Sequence, residues 1–380
     1  MAGTVAIDRE DTDMADAVHT AEQLKELQAL PLERKILISQ TRIIEWYQHH
    51  KGNVCVSFSG GKDSTVLLHL VRQLYPDVKA VFADTGLEYP EIKEFVKKQA
   101  NVEIARPKMP FDEVIRKYGY PLLGKEAAAK IWSARLIRES KGVAGARRRF
   151  AGGYSNGGEA SIFDLSRWMP IVRDLPIVIS DYCCGIQKKQ PMKKYKGKIV
   201  GVLTEESLLR RTAWIHVGCN SFEGNKARSW PMAFWTEQDV LTYLVDNDIE
   251  IASVYGDIVS VDDDGCEYDA KNVFGVGTHL KCTGCQRTGC VYCGFGFHLE
   301  KGKTRFQRLA ETHPRLYEYA IGGGEWADNP SYDPAVAEYD GEWKNWNPKR
   351  IWVPNKKGLG MGKVFDMVNE IYGKDFYRYE

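Results

Sequence analysis

A doubly wound parallel α/β sheet is the fold that this 380-residue chain predicts, and three observations carry that reading. The apolar run Val54 to Phe58 reads as a strand, Thr65 to Leu74 reads as a helix, and between them lies Ser59-Gly60-Gly61-Lys62-Asp63-Ser64. A second apolar run, Val78 to Ala83, ends in Asp84-Thr85-Gly86-Leu87-Glu88. Further strand-like runs, including Val102 to Ala105 and Ile199 to Leu203, alternate with helical segments, which is the pattern of a parallel sheet with helical crossovers.

Taken in order, residues 1–18 are polar and acidic and are expected to form a disordered leader. Residues 19–50 carry apolar positions at helical spacing, among them Leu24, Leu27, Leu30, Ile36, Ile38, Ile43, Ile44 and Trp46, interrupted by Pro31. They predict two helices packed on the core. Residues 51–250 form the predicted nucleotide-binding domain, 251–320 a cysteine-rich metal-binding segment and 321–380 an α/irregular extension.

The loop at 59–64 has the chemistry of a phosphate site. Paired glycines let the backbone turn tightly and bring its N–H groups to an anion. The helix that follows offers unpaired N–H groups and the positive end of its dipole, while Lys62 adds a mobile charge. The spacing excludes a Walker A loop, which needs four residues between its first glycine and Gly-Lys-[Ser/Thr]. Asp84, Thr85, Gly86 and Glu88 follow the second strand, so they fall on the same sheet rim and are candidates for ribose or metal-bound phosphate. The plainer reading of Asp84-Thr85-Gly86 is a turn with a cap at Thr85. Farther on, Ala151 to Gly158 reads as a loop, either over the site or a passive linker, and Thr236 with Asp239 reads as a helix cap close to a capping box.

Nine cysteines in a chain that reads as cytosolic would ordinarily stay reduced and unpaired, but their clustering argues for metal. Cys282, Cys285, Cys290 and Cys293 fall within twelve residues as two Cys-x-x-Cys pairs with glycines between them. Zinc and an iron–sulfur cluster both accept four thiolates, so ligand type does not separate them. Cys55 and Cys219 read as small buried hydrophobes, and His298 as a structural partner of the cysteine segment rather than a base.

Composition excludes some classes and leaves others open. With 43% hydrophobic residues the chain can bury a large core, and no apolar run approaches the eighteen or so residues of a membrane span. The N-terminus lacks a basic stretch followed by an apolar one, so no signal peptide is expected and a cytoplasmic location follows. The balance of 52 basic and 51 acidic residues argues neither for nor against nucleic acid. Arg147-Arg148-Arg149 and Lys193 to Lys198 read first as solvated faces, with a phosphate backbone as the alternative. Trp343, Trp346 and Trp352 read as packing before base stacking, and Gly358 to Lys363, with no clear strand before it, as a weak phosphate candidate.

Ser-Gly-Gly-Lys-Asp-Ser after a buried strand resembles the PP-loop of the ATP pyrophosphatase superfamily, with its adenine nucleotide alpha hydrolase-like fold, and specifically the PAPS reductase family. Asp84-Thr85-Gly86 resembles that family's second-strand segment, and Cys183-Cys184 resembles the Cys-Cys segment of APS reductases. The resemblance implies a [4Fe–4S] cluster on Cys183, Cys184, Cys290 and Cys293, whereas local spacing alone implies Cys282, Cys285, Cys290 and Cys293. A mixed set would complete Cys290 and Cys293 with Cys184 and Cys285. Gly201 to Arg211 is similar to the family's Gly-x-Arg-x-x-Glu-Ser-x-x-Arg segment, with Arg210 at the last arginine but Leu203 in place of the first. No cysteine follows Cys293, so the reductases' nucleophile has no counterpart in these residues.

The resemblance therefore implies an enzyme that binds ATP with Mg²⁺, adenylates an acceptor with release of pyrophosphate and transfers sulfur with its cluster. Lys62, Asp63 and Arg210 are the candidate catalytic residues. A sulfur donor protein and a nucleic-acid acceptor are the partners it suggests. One alternative is an APS or PAPS reductase forming sulfite, and another is a nucleotide-binding module with structural zinc.

Overall fold

The computed structural model describes residues 17–135, 165–222, 227–271, 278–330 and 348–380, with Gly224 and Tyr332. Most of the expected leader, the arginines at 147–149, the loop at 151–158, Trp343 and Trp346 lie outside the described residues. The chain divides into two compact units. One comprises residues up to Asp84, Glu88–Arg106 and Pro191–Gly289; the other comprises Thr85–Leu87, Pro107–Gln190 and Cys290–Glu380.

The first unit holds a six-stranded sheet of β1 (Cys55–Ser57), β2 (Ala80–Ala83), β3 (Val102–Ala105), β4 (Lys198–Val200), β5 (Asn220–Ser221) and β6 (Arg228–Ser229). Their spatial order is β3-β2-β1-β4-β6-β5, and every pair is parallel except β5 with β6. Strands covered on both faces read as unbroken apolar runs, and Val54, Val56 and Phe58 on one face and Cys55 on the other are all buried. The helix after β1, α1 (Lys62–Leu74), buries Val66, Leu67, Leu70 and Val71 against the sheet side of its surface. Fully burying each such side chain contributes about 1.5–3 kcal/mol.

Pairing in register sets Val56 opposite Ala80 and Ile199. From β1 the chain continues to β2 on one side, while β4 arrives much later on the other. The connections diverge there, so a crevice opens beyond the carboxyl end of β1, where Ser59 follows. N-terminal to the sheet, Ala21–Gln28 and Leu32–His49 form two helices separated at Pro31. Lys35 of the second helix is buried and pairs with Asp239 at 2.6 Å. A smaller three-stranded sheet, in the order β9-β7-β8, comprises β7 (Ile258–Val261), β8 (Glu267–Asp269) and β9 (His279–Cys282).

Among the described residues of the second unit, helices outweigh strands. The two-residue strands Leu122–Leu123 and Gly294–Phe295 pair in parallel, and Glu325–Asp328 pairs antiparallel with Arg350–Val353. Its core gathers Phe297, Phe306, Phe365 and Tyr377, with Phe297 stacked on Tyr377 at 5.2 Å between ring centroids. A strand therefore does precede Gly358 to Lys363, yet those glycines serve packing. A Cβ at Gly358 would stand 2.4 Å from the Gly322 carbonyl oxygen, and one at Gly360 would stand 2.9 Å from the Gly324 Cα. Trp352 packs on Trp326, as the packing reading of that tryptophan expects. No helix among the described residues is long and apolar enough to cross a membrane.

Candidate functional site

The phosphate-loop candidate in the first unit is held open by its own side chains. The Ser59 amide donates to Ser64 Oγ at 3.1 Å, and the Gly61 amide donates to Ser59 Oγ at 3.3 Å. Ser64 Oγ and Thr65 Oγ1 both donate to the Gly61 carbonyl, at 2.9 and 3.0 Å. Gly60 has a φ of +73°, and a Cβ there would lie 2.8 Å from Ile92 Cγ2 and 2.9 Å from Val96 Cγ2. Only glycine meets both demands. Gly201, just after β4, is packed closely on the loop without a left-handed backbone, since its Cβ would stand 3.1 Å from the Asp63 carbonyl oxygen.

Lys62 opens α1 and is 5% exposed. Its Nζ pairs with Glu237 Oε1 at 2.8 Å and lies 5.4 Å from the centroid of the Tyr255 ring. Asp63 beside it has its carboxyl pushed up to about 6, first by burial and then by the charge of Glu206, against the pull of Lys62. Glu206 in turn pairs with both Arg210 and Arg287. Arg210 reaches it from the next helical turn, on a helix whose N-cap is Ser207. Asp84 is held by Lys93 at 2.9 Å and Arg106 at 3.3 Å. In the other unit, Thr85 Oγ1 accepts the Leu87 amide at 3.2 Å in a local turn, and Gly86 has a φ of +80° with open space where a Cβ would stand. The helix that follows starts at Pro90, behind Tyr89.

The cysteines separate between the units. Cys183, Cys184, Cys290 and Cys293 belong to the second, and Cys282 and Cys285 to the first. The Cys183 thiol donates to Cys184 Sγ at 4.0 Å, and the Cys293 amide closes a turn onto the Cys290 carbonyl at 3.0 Å. The Cys183 thiol is pushed up by its bond to Cys184, by burial and by the charges of Cys184, Cys293 and Cys290. Cys184 is pushed down, by that same bond and by Lys125 and Lys188. Arg305 Nη1 donates to the Cys293 carbonyl at 2.9 Å and is itself fixed by Glu300. No group of three or more His, Cys, Asp or Glu side chains among the described residues is arranged to hold a metal ion.

Cys282, by contrast, ends β9 at 1% exposure. Burial raises its thiol and Lys62 works against that rise, so this cysteine borders the phosphate loop. Cys285 follows a turn in which its amide donates to the Val254 carbonyl at 2.9 Å. Cys55 and Cys219 are buried as small hydrophobes, the latter accepting the Trp214 indole N–H at 3.4 Å. His298 stacks on Phe376 and meets Trp168 edge-on, and burial lowers its pKa, all of which suits a structural ring. Lys194 and Tyr195 of the basic run 193–198 are tied to Glu103.

Sequence reasoning missed Tyr255, Glu237, Arg287 and Thr288. None carries a local signal, because each meets the loop only after β7–β9 and the helix Glu237–Asp246 fold onto it. The cap of that helix was legible, with Thr236 and Asp239 exchanging both hydrogen bonds of a capping box.

Residues 53–134 match the family model of the phosphoadenosine phosphosulfate reductase domain. An uncharacterised protein of Methanocaldococcus jannaschii is 23% identical over 291 residues, 75% of this chain and 51% of that protein. An adenosine 5′-phosphosulfate reductase of Bacillus mycoides is 29% identical over 121 residues, 26% of this chain and 52% of the relative. One from Bacillus cereus is 31% identical over 87 residues, 21% and 37% of the two chains. The chain thus spans about half the length, or less, of these curated relatives. Among solved structures, a phosphoadenylyl-sulfate reductase from Candida auris aligns at TM-score 0.32 and 14% identity, covering 63% of this chain and 92% of that one. An FMN adenylyltransferase from Candida glabrata aligns at TM-score 0.31 and 12% identity, over 61% and 65% of the two chains.

Proposed function

Residues 53–134 make this chain a member of the PP-loop PAPS reductase family, and from that premise we propose that its first unit binds ATP and adenylates an acceptor. A sulfide-level sulfur (thiolate or hydrosulfide) from a donor then attacks the activated acceptor carbon, forming the C–S bond as the C–O bond to AMP breaks and AMP leaves. The observation that carries the reading is Lys62. An ammonium at a helix N-terminus faces the unfavourable end of the dipole, and burial adds a desolvation cost. Such a residue makes sense where an anion is to be held, with Glu237 supplying the countercharge until one arrives. In the step itself an acceptor oxygen bonds to the α-phosphorus, the bond to the β-phosphate oxygen breaks, and pyrophosphate leaves. The loop amides, the N-terminus of α1 and Lys62 stabilise the growing phosphoryl charge. Asp63, with a carboxyl titrating near 6, is suited to accept the acceptor's proton.

Cys183, Cys184, Cys290 and Cys293 share the second unit, and the Cys183 thiol is pushed up by its bond to Cys184, by burial and by the charges of the other three, so these are the residues that would hold a four-thiolate group. A single zinc ion needs its sulfurs about 2.3 Å from one point, whereas a cubane spreads its thiolates over several irons. A [4Fe–4S] cluster held by these four residues would supply redox or sulfide chemistry to the second half-reaction. Around it, Arg305 fixes the Cys293 carbonyl and keeps the turn between Cys290 and Cys293 in place.

The test is pyrophosphate release from ATP by anaerobically purified protein, screened against tRNA, DNA and small acids. Release with one acceptor class is expected, together with a brown colour. A colourless protein with stoichiometric zinc would exclude the cluster. A second reading, reduction of APS or PAPS to sulfite by an external thiol, is favoured by the names of the Bacillus relatives and by the placement of all four of these cysteines in one unit. Sulfite from PAPS, with no pyrophosphate from ATP and any acceptor, would put that reading first.

A further inference from the structure

Leu203 stands where the family pattern has an arginine, and at 2% exposure its side chain belongs to the core rather than to a binding surface. A second guanidinium nevertheless reaches the neighbourhood from another part of the chain. Arg287 pairs with Glu206, the same carboxylate that takes Arg210. Glu206 is 15% exposed whereas Arg287 is 67% exposed, so a nearly buried carboxylate holds a guanidinium at the solvent edge. Arg210 and Arg287 together outnumber Glu206 by one charge, with Asp63 and Glu237 as the neighbouring carboxylates. A guanidinium carries five N–H donors and one carboxylate engages only some of them, so capacity remains for the oxygens of a second anion.

The turn that delivers Arg287 is built against the phosphate loop. The Gly284 amide donates to the Tyr255 carbonyl at 2.8 Å and the Cys285 amide to the Val254 carbonyl at 2.9 Å. No Cβ fits at Gly284, where it would stand 2.5 Å from the Val254 carbonyl oxygen. Thr288, next in sequence, hydrogen-bonds to the Tyr255 hydroxyl. From the Cβ direction of Gly61, the Tyr255 hydroxyl lies 3.2 Å away and Thr288 Oγ1 3.7 Å away. The charge of Arg287 also reaches Asp63. Residues 282–288 are therefore a wall of the loop's site, contributed by a segment far from it in sequence.

Resting on the ATP reading above, we infer that Arg287 recognises the outer phosphates of the nucleotide, taking over the anion contact that Leu203 cannot make. Lys62 and the loop amides hold the phosphate nearest the helix. Arg287, at the exposed edge and steadied by Glu206, meets the polyphosphate that extends from it and becomes the leaving group. It is a specificity-determining residue, separating nucleotides with a polyanionic tail from a monophosphate.

The experiment is calorimetric titration of the full chain and of Arg287→Ala and Arg287→Lys with ATP, pyrophosphate and AMP at fixed salt, with melting temperatures alongside. Arg287→Ala should weaken ATP and pyrophosphate about ten- to hundredfold, the range for losing a hydrogen bond to a charged group. AMP affinity and melting temperature should stay level, and Arg287→Lys should recover part of the loss, because lysine keeps the charge without the fork. Unchanged ATP affinity in Arg287→Ala overturns the inference, as does an equal loss for all three ligands with a lowered melting temperature. If the wild type binds adenosine 5′-phosphosulfate but no ATP, the ATP reading fails by itself. Arg287 is then judged on that nucleotide: a tenfold or larger loss in Arg287→Ala sustains its role as the anion contact, and no loss removes it. Binding of neither nucleotide by the wild type overturns both.

Discussion

A lysine in the first turn of a helix and an aspartate next to it set opposite electrostatic problems. Lys62 is a buried cation at the positive end of a dipole, offset by Glu237 at 2.8 Å. Lys62→Ala should lower kcat/KM for ATP-dependent turnover by about 10²–10³, the usual loss for one preorganised charge, with a much smaller change in melting temperature. Asp63 is a carboxyl that burial and Glu206 keep protonated up to about 6, against the ordinary 3.8 of an aspartate. The folded state therefore binds this proton more tightly than the unfolded state. The stability that comes with it is present at low pH and is lost as pH rises from about 3.8 through about 6. Asp63→Asn mimics the protonated acid, so its melting temperature should exceed the wild type near neutral pH and converge on it in acid. Parallel thermal melts across that range check this; equal pH profiles would remove the assignment.

The loop as an element depends on its glycines in unequal ways. Gly60 combines a φ of +73° with contacts of 2.8 and 2.9 Å from the missing Cβ, whereas Gly86, at +80°, faces open space. Gly86→Ala carries only the left-handed backbone cost, about 1–2 kcal/mol. Gly60→Ala adds steric conflict with Ile92 and Val96, so it should unfold at lower urea than Gly86→Ala and also weaken ATP binding. At this scale much could be read directly: the strand, loop and helix at 54–74, the pair of helices split at Pro31, and the capping box of Thr236 with Asp239 all follow from local patterns. The second role of Asp239 could not be read. Its carboxylate also neutralises Lys35, which is buried 204 positions away, and no local pattern encodes a partner at that distance.

The whole molecule decides the cysteines. Each Cys-x-x-Cys pair in 282–293 looks alike in sequence, yet the units divide them, with Cys282 and Cys285 in the one that carries the phosphate loop and Cys290 and Cys293 in the one that carries Cys183 and Cys184. Serine variants at Cys183, Cys184, Cys290 or Cys293 should each lose iron and visible absorbance, whereas Cys282→Ser and Cys285→Ser should keep both. Iron analysis of anaerobically prepared variants checks the assignment, and loss of iron in Cys285→Ser would favour the mixed ligand set. What the sequence alone determined is what lies within a few residues along the chain: the parallel α/β class, the phosphate loop with its lysine, and the presence of thiol pairs. Those depend on backbone periodicity, glycine conformation and ligand spacing, which are local properties. Only the tertiary structure decided which charges surround Lys62, that Arg287 joins Arg210 on Glu206 while Leu203 is core, and which cysteines share a unit. Those are contacts between segments distant in sequence, made by the packing of whole elements, and the pattern of any one segment does not contain them.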